Sequence, residues 1–163
     1  MAAERVAANQ YLTFKLAEEV YGIDISQIRE VLEYTAITAV PRTPDFMRGV
    51  INLRGGVVPV VDMRMKFGLD KAEMTINTCI VIVEILFEEE MALIGALVDS
   101  VQEVLELDPS NIEPPPKIGT GLKTEFIKGM GKHDEHFIII LDVDKIFSAH
   151  ELDMIQTKTA DKE

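Results

Sequence analysis

The chain repeats itself, and this internal duplication constrains the fold more than any other feature of the sequence. Residues 22–33 read GIDISQIREVLE, and residues 95–106, lying 73 positions further on, read GALVDSVQEVLE. After an insertion near 117–121 the similarity resumes at an offset of 80, where 60–67 match 140–147. We therefore predict two copies of one small module within the 163 residues.

Each copy reads as short strands separated by turn signals. Apolar runs bounded by Gly, Pro, Asn or Asp predict strands in the first copy at residues 19–25, 29–34, 50–53 and 57–61, each with a counterpart in the second copy. Residues 11–16 and 79–86 supply further strands. Pro59 lacks a backbone N–H, which predicts that its strand lies at a sheet edge or a bulge.

Helical segments are predicted to be brief. Asp62 and Asp142 end strands and are placed to cap a short helix after each, while Ser26 and Asp99 are placed to cap a single turn. A further turn beginning near Thr43 is predicted to end at Gly49. The capping-box spacing of residues 148–151, SAHE, predicts a short C-terminal helix.

Many short strands with few long helices indicate an all-β architecture of small barrels. We expect one domain that contains both copies. Its predicted boundaries are 11–152, with sub-barrels at 17–78 and 79–147 and flexible termini at 1–10 and 157–163. The placement of strand 11–16 stays open, because it can join the second sub-barrel.

The charge balance excludes several classes of partner. The net charge is −12, from 28 acidic and 16 basic side chains, and there is no Trp, which disfavours binding to nucleic acid or anionic lipid. The apolar stretch 79–87 is short and is interrupted by Glu84, so no membrane insertion is predicted. Cys79 is the only cysteine and is interpreted as a core thiol in a reducing cytoplasm.

Chemistry-bearing side chains cluster at one place, residues 133–136, which read HDEH. A small-ligand or metal-binding barrel that uses this tip is one alternative, although a solvated hairpin loop explains the same residues. His150 stands alone on the predicted last helix. Because no catalytic triad, phosphate loop or zinc-binding cysteine pair is present, we predict no catalytic residues and no cofactor.

The first hairpin carries a candidate binding feature, Asn52-Leu-Arg-Gly-Gly56, between two apolar strands. Gly55 and Gly56 are predicted to take the positive φ values of a tight turn. Arg54 is then exposed and able to bind a partner carboxylate. A groove between two barrels could also receive a helix from another protein. The residues at its edges would come from the set that recurs at a spacing of three in both copies, namely Ile25, Ile28 and Val31 with Val98, Val101 and Val104.

Residues 21–33 and 41–68, above all the joined string GVINLRG and VVPVVDMR, resemble the CheW family of chemotaxis coupling proteins. The resemblance extends from Tyr11 to about Leu152. It implies two five-stranded, SH3-like barrels around a shared core. It also implies a cytoplasmic, non-catalytic adaptor that joins the regulatory domain of the histidine kinase CheA to the cytoplasmic tip of methyl-accepting chemoreceptors.

The resemblance assigns roles residue by residue. Arg54 and Asn52 would contribute to partner binding, and Ile28 and Glu30 would face the kinase. For the receptor helix, Val31 and Val98 fall where the family lines its groove. An adaptor of a non-flagellar chemosensory pathway would use the same interfaces, so that alternative stays open, as do the receptors and the stimuli.

Overall fold

The computed structural model describes residues 9–71, 73–87, 89–115 and 124–147. The strands within these ranges are β1 (Asn9–Leu16), β2 (Glu19–Asp24), β3 (Ile28–Glu33), β4 (Met47–Leu53), β5 (Gly56–Asp62), β6 (Cys79–Phe87), β7 (Glu90–Val98), β8 (Ser100–Leu107), β9 (Ile112–Glu113), β10 (Ile127–His133) and β11 (His136–Leu141). The helical segments are α1 (Met63–Lys66), α2 (Val143–Ile146) and the 3₁₀ turns Ile25–Gln27, Pro109–Asn111 and Thr124–Phe126.

The strands form two sheets, which confirms the all-β prediction. One sheet has the order β8-β1-β2-β11-β10-β9 and the other has the order β3-β6-β7-β5-β4. Neighbouring strands are antiparallel except for two parallel pairs, β5 with β7 and β11 with β2. The predicted count of five strands holds for the second sheet, whereas the two-residue strand β9 extends the first to six.

The sheets divide the chain differently from the predicted sub-barrel boundaries of 17–78 and 79–147. Strand β2 from the first copy lies in the six-stranded sheet, and β7 from the second copy lies in the five-stranded sheet. Each therefore pairs in parallel with the last strand of the other copy. Strand β1, the segment whose placement was open, joins the six-stranded sheet. Periodicity identifies a strand but not its partner, which is why the exchange is not visible in the sequence.

The exchange places one apolar core between the sheets. Both sheets contribute to it, with Phe14 and Leu16 from β1, Val83 and Ile85 from β6, and Leu141 from β11 all fully or almost fully buried. An aromatic line crosses this core: Tyr21 lies between Phe14, with ring centroids 5.9 Å apart, and Phe67, at 5.7 Å. Burial of this shared surface holds the two sheets together.

Two of the predicted helix caps are confirmed. Asp62 accepts a hydrogen bond from the Met65 amide at 3.2 Å, and Asp142 accepts one from the Lys145 amide at 3.3 Å. The first turn is instead capped by Asp24, whose Oδ1 accepts from the amide of Ser26 at 2.9 Å, so the role predicted for Ser26 was wrong. Asp99 caps no helix, because β8 begins directly after it.

Gly49 lies within β4 rather than after a helix. No helix forms between Thr43 and Gly49, where the Met47 amide closes a single turn on the Pro44 carbonyl at 2.9 Å. Gly49 has φ +146°, and a Cβ built on it would lie 2.1 Å from the carbonyl oxygen of Thr38. Position 49 requires glycine because two backbones approach closely at a bulge, and not because a helix ends there as predicted.

Pro59 lies on an interior strand and not at an edge, one of the two predicted positions, but the other, a bulge, lies beside it, between Met47 and Gly49 opposite Val61 and Val60. Pro59 stands opposite Val50, whose N–H and C=O both bond to Thr38 at 2.9 Å, so β4 needs no donor from Pro59. Pairing of β5 with β7 begins one residue later, at Val60. The missing N–H therefore falls where neither neighbour requires it.

Some predictions about the ends of the chain fall outside the described residues. The C-terminal helix predicted at residues 148–151, the tail 157–163 and most of the N-terminal segment 1–10 belong to this group. Asn9 and Gln10 are described and form the start of β1.

Candidate partner-binding site

The β4–β5 hairpin ends in a two-residue turn. Leu53 and Gly56 are the last paired residues, and Arg54 (φ +50°) and Gly55 (φ +90°) form the tip. Two consecutive positive φ values are typical of a type I′ turn, whose twist matches that of the strands. The turn was predicted, but its residues were shifted by one: Gly56 begins β5, and Arg54 itself adopts the left-handed conformation.

Asn52 fixes the shape of this tip. Its Oδ1 accepts a hydrogen bond from the amide of Gly55 at 2.8 Å. This bond satisfies a backbone donor that the turn would otherwise leave to solvent. Asn52 therefore supports the conformation in which Arg54 is presented, and its side-chain oxygen is already bonded within the hairpin.

The Arg54 guanidinium forms an ion pair with Glu30 on β3. Nη1 donates to Oε1 at 3.4 Å, and Nη2 donates to Oε2. The Arg54 side chain remains 68% exposed, whereas Glu30 is 25% exposed. The hydrogen bond and the charge of Glu30 raise the pKa of Arg54 above its usual value. The pair orients a cation that still presents N–H donors to solvent.

Ile28 lies on β3 beside this pair. It is partly buried, stands opposite Val83 and packs against the shared core. A bulge between Ile28 and Glu30 shifts the register by one residue, and there Arg29 forms an ion pair with Glu84 at 2.5 Å. Arg54 thus contacts Glu30 directly, and Asn52 supports the turn that carries Arg54. Ile28 lies two residues from Glu30 on β3.

The two predicted groove residues have different environments. Val31 is 40% exposed on the edge strand β3, whereas Val98 is 1% exposed and belongs to the shared core. Val98 therefore does not line a surface groove, and that prediction is corrected. The last residue of a strand that crosses the middle of the sheet is covered from both sides, which periodicity alone does not reveal.

Val104 takes the surface position that had been assigned to Val98. The repeat aligns it with Val31, and it is 46% exposed on β8, the edge strand of the other sheet. Val31 stands opposite Val81, and Val104 stands opposite Leu12, both members of the shared core. Val31 and Val104 therefore mark equivalent points on the margin of that core. The apolar residues that recur every three positions in each copy were the sequence signal for Val31 and Val104.

The tip of the β10–β11 hairpin offers no metal site. His133 and His136 close the hairpin, and His133 Nε2 lies 3.4 Å from Asp134 Oδ2. Within the described ranges, no three His, Cys, Asp or Glu side chains are grouped as metal ligands. His150 lies outside these ranges. Nor does any helix in the described part of the chain have the length and apolar character needed to cross a membrane.

Residues 10–151 match the profile of the CheW-like domain. The chain is 35% identical to chemotaxis protein CheW of Klebsiella aerogenes over 155 residues, covering 95% of this chain and 90% of that protein. It is 32% identical to chemotaxis protein CheW of Thermotoga maritima, covering 88% and 91% respectively.

A solved structure shows the same fold. The scaffolding protein TtCheW from Thermoanaerobacter tengcongensis superposes with a TM-score of 0.80 at 38% identity, covering 91% of this chain and 93% of that one. The two sheets are accordingly SH3-like barrels, as the resemblance implied. The chain belongs to the CheW family of non-catalytic chemotaxis scaffold proteins.

Proposed function

We propose that this chain couples methyl-accepting chemoreceptors to the histidine kinase CheA, in the cytoplasm and at membrane-associated receptor arrays. Family membership supports a role in chemotaxis scaffolding. The observation that carries the finer proposal is the Arg54 side chain, exposed yet oriented by Glu30 at the tip of a short hairpin. Such a cation suits recognition of a partner carboxylate or carbonyl.

The kinase contact is assigned to the surface formed by Arg54, Asn52, Glu30 and Ile28. Glu30 holds the guanidinium and Asn52 fixes the turn that carries Arg54, so less conformational entropy remains to be lost when a partner binds. Ile28 adds an apolar group that is partly accessible next to the ion pair. The regulatory domain of CheA is the partner proposed for this surface.

The receptor contact is assigned to the margin of the shared core. Val31 and Val104 are exposed apolar side chains at equivalent positions of the two copies. Amphipathic helices bind where apolar side chains are accessible along a groove, and the cytoplasmic tip of a chemoreceptor is the proposed helical partner. Val98 is not part of this surface.

A scaffold of this kind acts through geometry. It holds kinase and receptor in a defined arrangement and carries out no reaction of its own. A change in the receptor can alter the populations of kinase states only where contacts with the scaffold differ between those states. The two proposed surfaces meet on β3, where Glu30 and Val31 are neighbours whose side chains point to opposite faces of the strand, so both partners can be bound at once.

The test is a calorimetric titration of the chain with a CheA regulatory domain and with a chemoreceptor cytoplasmic fragment. Arg54→Asn removes the guanidinium and leaves a residue that favours positive φ, so the turn is retained. We expect kinase-domain affinity to fall on the order of tenfold or more, with receptor binding unchanged.

Arg42→Asn is the matched control, because Arg42 is also an exposed arginine with positive φ, at +66°. It should bind as wild type does. Equal affinities for Arg54→Asn and wild type would refute the proposed kinase contact. Binding of neither partner by the folded wild-type chain would refute the coupling function for those partners.

A further inference from the structure

Arg64 and Asp99 form a bidentate ion pair outside the proposed partner surfaces. Arg64 Nε lies 2.9 Å from Asp99 Oδ1, and Nη2 lies 2.8 Å from Oδ2. The two side chains are only 22% and 24% exposed. Paired N–H donors that face both oxygens of one carboxylate fix distance and orientation together, which a single hydrogen bond does not.

The pair lies at the crossover between the two sheets, and Asp99 makes the bonds that reach the second sheet. Arg64 is on α1, which directly follows β5 of the five-stranded sheet, while Asp99 is the single residue between β7 and β8, where the chain crosses to the other sheet. Asp99 Oδ2 also accepts a hydrogen bond from the amide of Ala17, at 2.8 Å, in the turn between β1 and β2. Its own amide donates to the carbonyl of Lys15 at 3.1 Å. Asp99 is thus bonded to both sheets at once.

The duplication creates an equivalent contact elsewhere, but a weaker one. In the repeat, Arg64 aligns with Asp144 on α2, and Asp144 Oδ1 accepts one hydrogen bond from the amide of Leu86 at 3.3 Å. Leu86 is on β6, in the five-stranded sheet, and α2 follows β11 of the six-stranded sheet. The same helical position therefore takes part in a contact where the sheets meet in each copy, with a charged bidentate pair to the crossover residue Asp99 in one copy and one long hydrogen bond to the opposite sheet in the other.

We propose that Arg64 and Asp99 are positioning residues that set the orientation of the two sheets relative to each other. The apolar core between the sheets provides most of the attraction, but apolar contact is non-directional and tolerates sliding. A bidentate charged pair that also bonds to the backbone selects one orientation. Relative movement of the two sheets is then easier at the Asp144–Leu86 contact than at the Arg64–Asp99 pair.

The consequence for binding rests on the proposed function. Val31 and Val104 lie on the edge strands of different sheets, so the relative orientation of the sheets sets their separation. A helix that contacts both would bind most tightly to the orientation that the Arg64–Asp99 pair selects. Loss of the pair would lower receptor affinity without removing any receptor contact.

The test measures the distance between the sheets directly. Spin labels are placed at the exposed residues Glu33 on β3 and Glu106 on β8, in a Cys79→Ala background, and read by double electron–electron resonance. We expect one narrow distance distribution with Arg64 and Asp99 intact. Arg64→Met and Asp99→Asn should each broaden or shift it, and Arg64→Lys should broaden it less than Arg64→Met.

Arg48→Met is the matched control. Arg48 pairs with Asp62 at 3.3 Å with side chains 19% and 3% exposed, but both residues belong to neighbouring strands of one sheet. The spin-label distance distribution of Arg48→Met should equal that of the wild type. An unchanged distribution in Arg64→Met, or equal broadening in Arg48→Met, would overturn the inference. Because this readout needs no partner, failure of the proposed receptor binding leaves its result intact and separately interpretable.

Discussion

Arg54, at the tip of the β4–β5 hairpin, is paired with Glu30 on β3, and strands β3 and β4 are the two opposite edges of the five-stranded sheet. The contact therefore bridges the edges where the sheet curls into a barrel. Because Arg54 is largely exposed, screening by solvent and salt limits what the pair adds to stability. Its stronger effect is to restrict the directions in which the guanidinium can point.

Glu30→Gln tests whether the orientation of the Arg54 guanidinium, and not only its positive charge, matters for kinase binding. It leaves Arg54 in place and removes the carboxylate that orients it. We expect the melting temperature to stay at the wild-type value, and kinase-domain affinity to fall, but by less than in Arg54→Asn. Isothermal titration calorimetry at low salt measures both variants. If Glu30→Gln bound as tightly as wild type, Arg54 would be acting as a freely mobile charge.

Val98→Ala and Val31→Ala test the corrected groove assignment. Val98 is 1% exposed in the shared core, so its truncation should lower the free energy of unfolding by about 2 kcal/mol through lost burial and a cavity. Val31 is 40% exposed, and its truncation should cost about 0.5 kcal/mol or less. Urea denaturation measures both, and receptor-fragment affinity should fall only in Val31→Ala. Comparable losses of stability would contradict the assignment of Val31 to the surface.

Much of the fold is predictable from local sequence because strands, turns and caps depend on nearby residues. The duplication, the caps Asp62 and Asp142 and the exposed arginine at a hairpin tip are all local or periodic signals. The pairing partners are not local. Exchange of β2 and β7 between the sheets, and with it the burial of Val98, depends on contacts between residues far apart in the chain.

The Arg64–Asp99 pair could not be predicted from local sequence either. Arg64 lies within a recognisable string, VVDMR, but nothing near it in sequence points to Asp99, 35 positions away. Asp99 reads as a turn cap by analogy with Ser26, but Asp24 caps the turn at Ser26, and β8 begins directly after Asp99. Side chains that hold two sheets together are visible only once the topology is known.

Tyr21 predicts a specific alkaline sensitivity. Burial, with a smaller contribution from the charge of Glu19, raises its pKa above the ordinary 10.0. The folded state then holds a proton that the unfolded state releases, so stability is complete below about pH 10 and falls as the pH rises from there towards the folded-state pKa. Tyr21→Phe should lose less stability between about pH 8 and about pH 11 than wild type does in urea denaturation.

Tyr34→Phe controls for general alkaline effects, since Tyr34 is 39% exposed. It should decline with pH as wild type does. An identical decline in Tyr21→Phe would mean that ionisation of Tyr21 is not coupled to unfolding.

Gly49→Ala should be the most damaging of these substitutions. Its Cβ would lie 2.1 Å from the Thr38 oxygen and 2.7 Å from the Thr38 carbonyl carbon, and these are backbone atoms held by a pair of hydrogen bonds to Val50. To relieve this clash, the backbone around Thr38 must move away from β4. We expect a loss of more than about 3 kcal/mol in the free energy of unfolding, measured by urea denaturation.

Gly68→Ala is the matched comparison, because Gly68 also has a positive φ, +83°, but no atom beyond Gly68 and its two chain neighbours lies within 4 Å of the Cβ position. Only the backbone strain remains there, which should cost about 1–2 kcal/mol. The difference between the two variants therefore measures the close approach at Thr38 separately from the cost of the conformation. Equal losses would show that the backbones at Thr38 and Gly49 separate easily, and that the bulge in β4 does not depend on this contact.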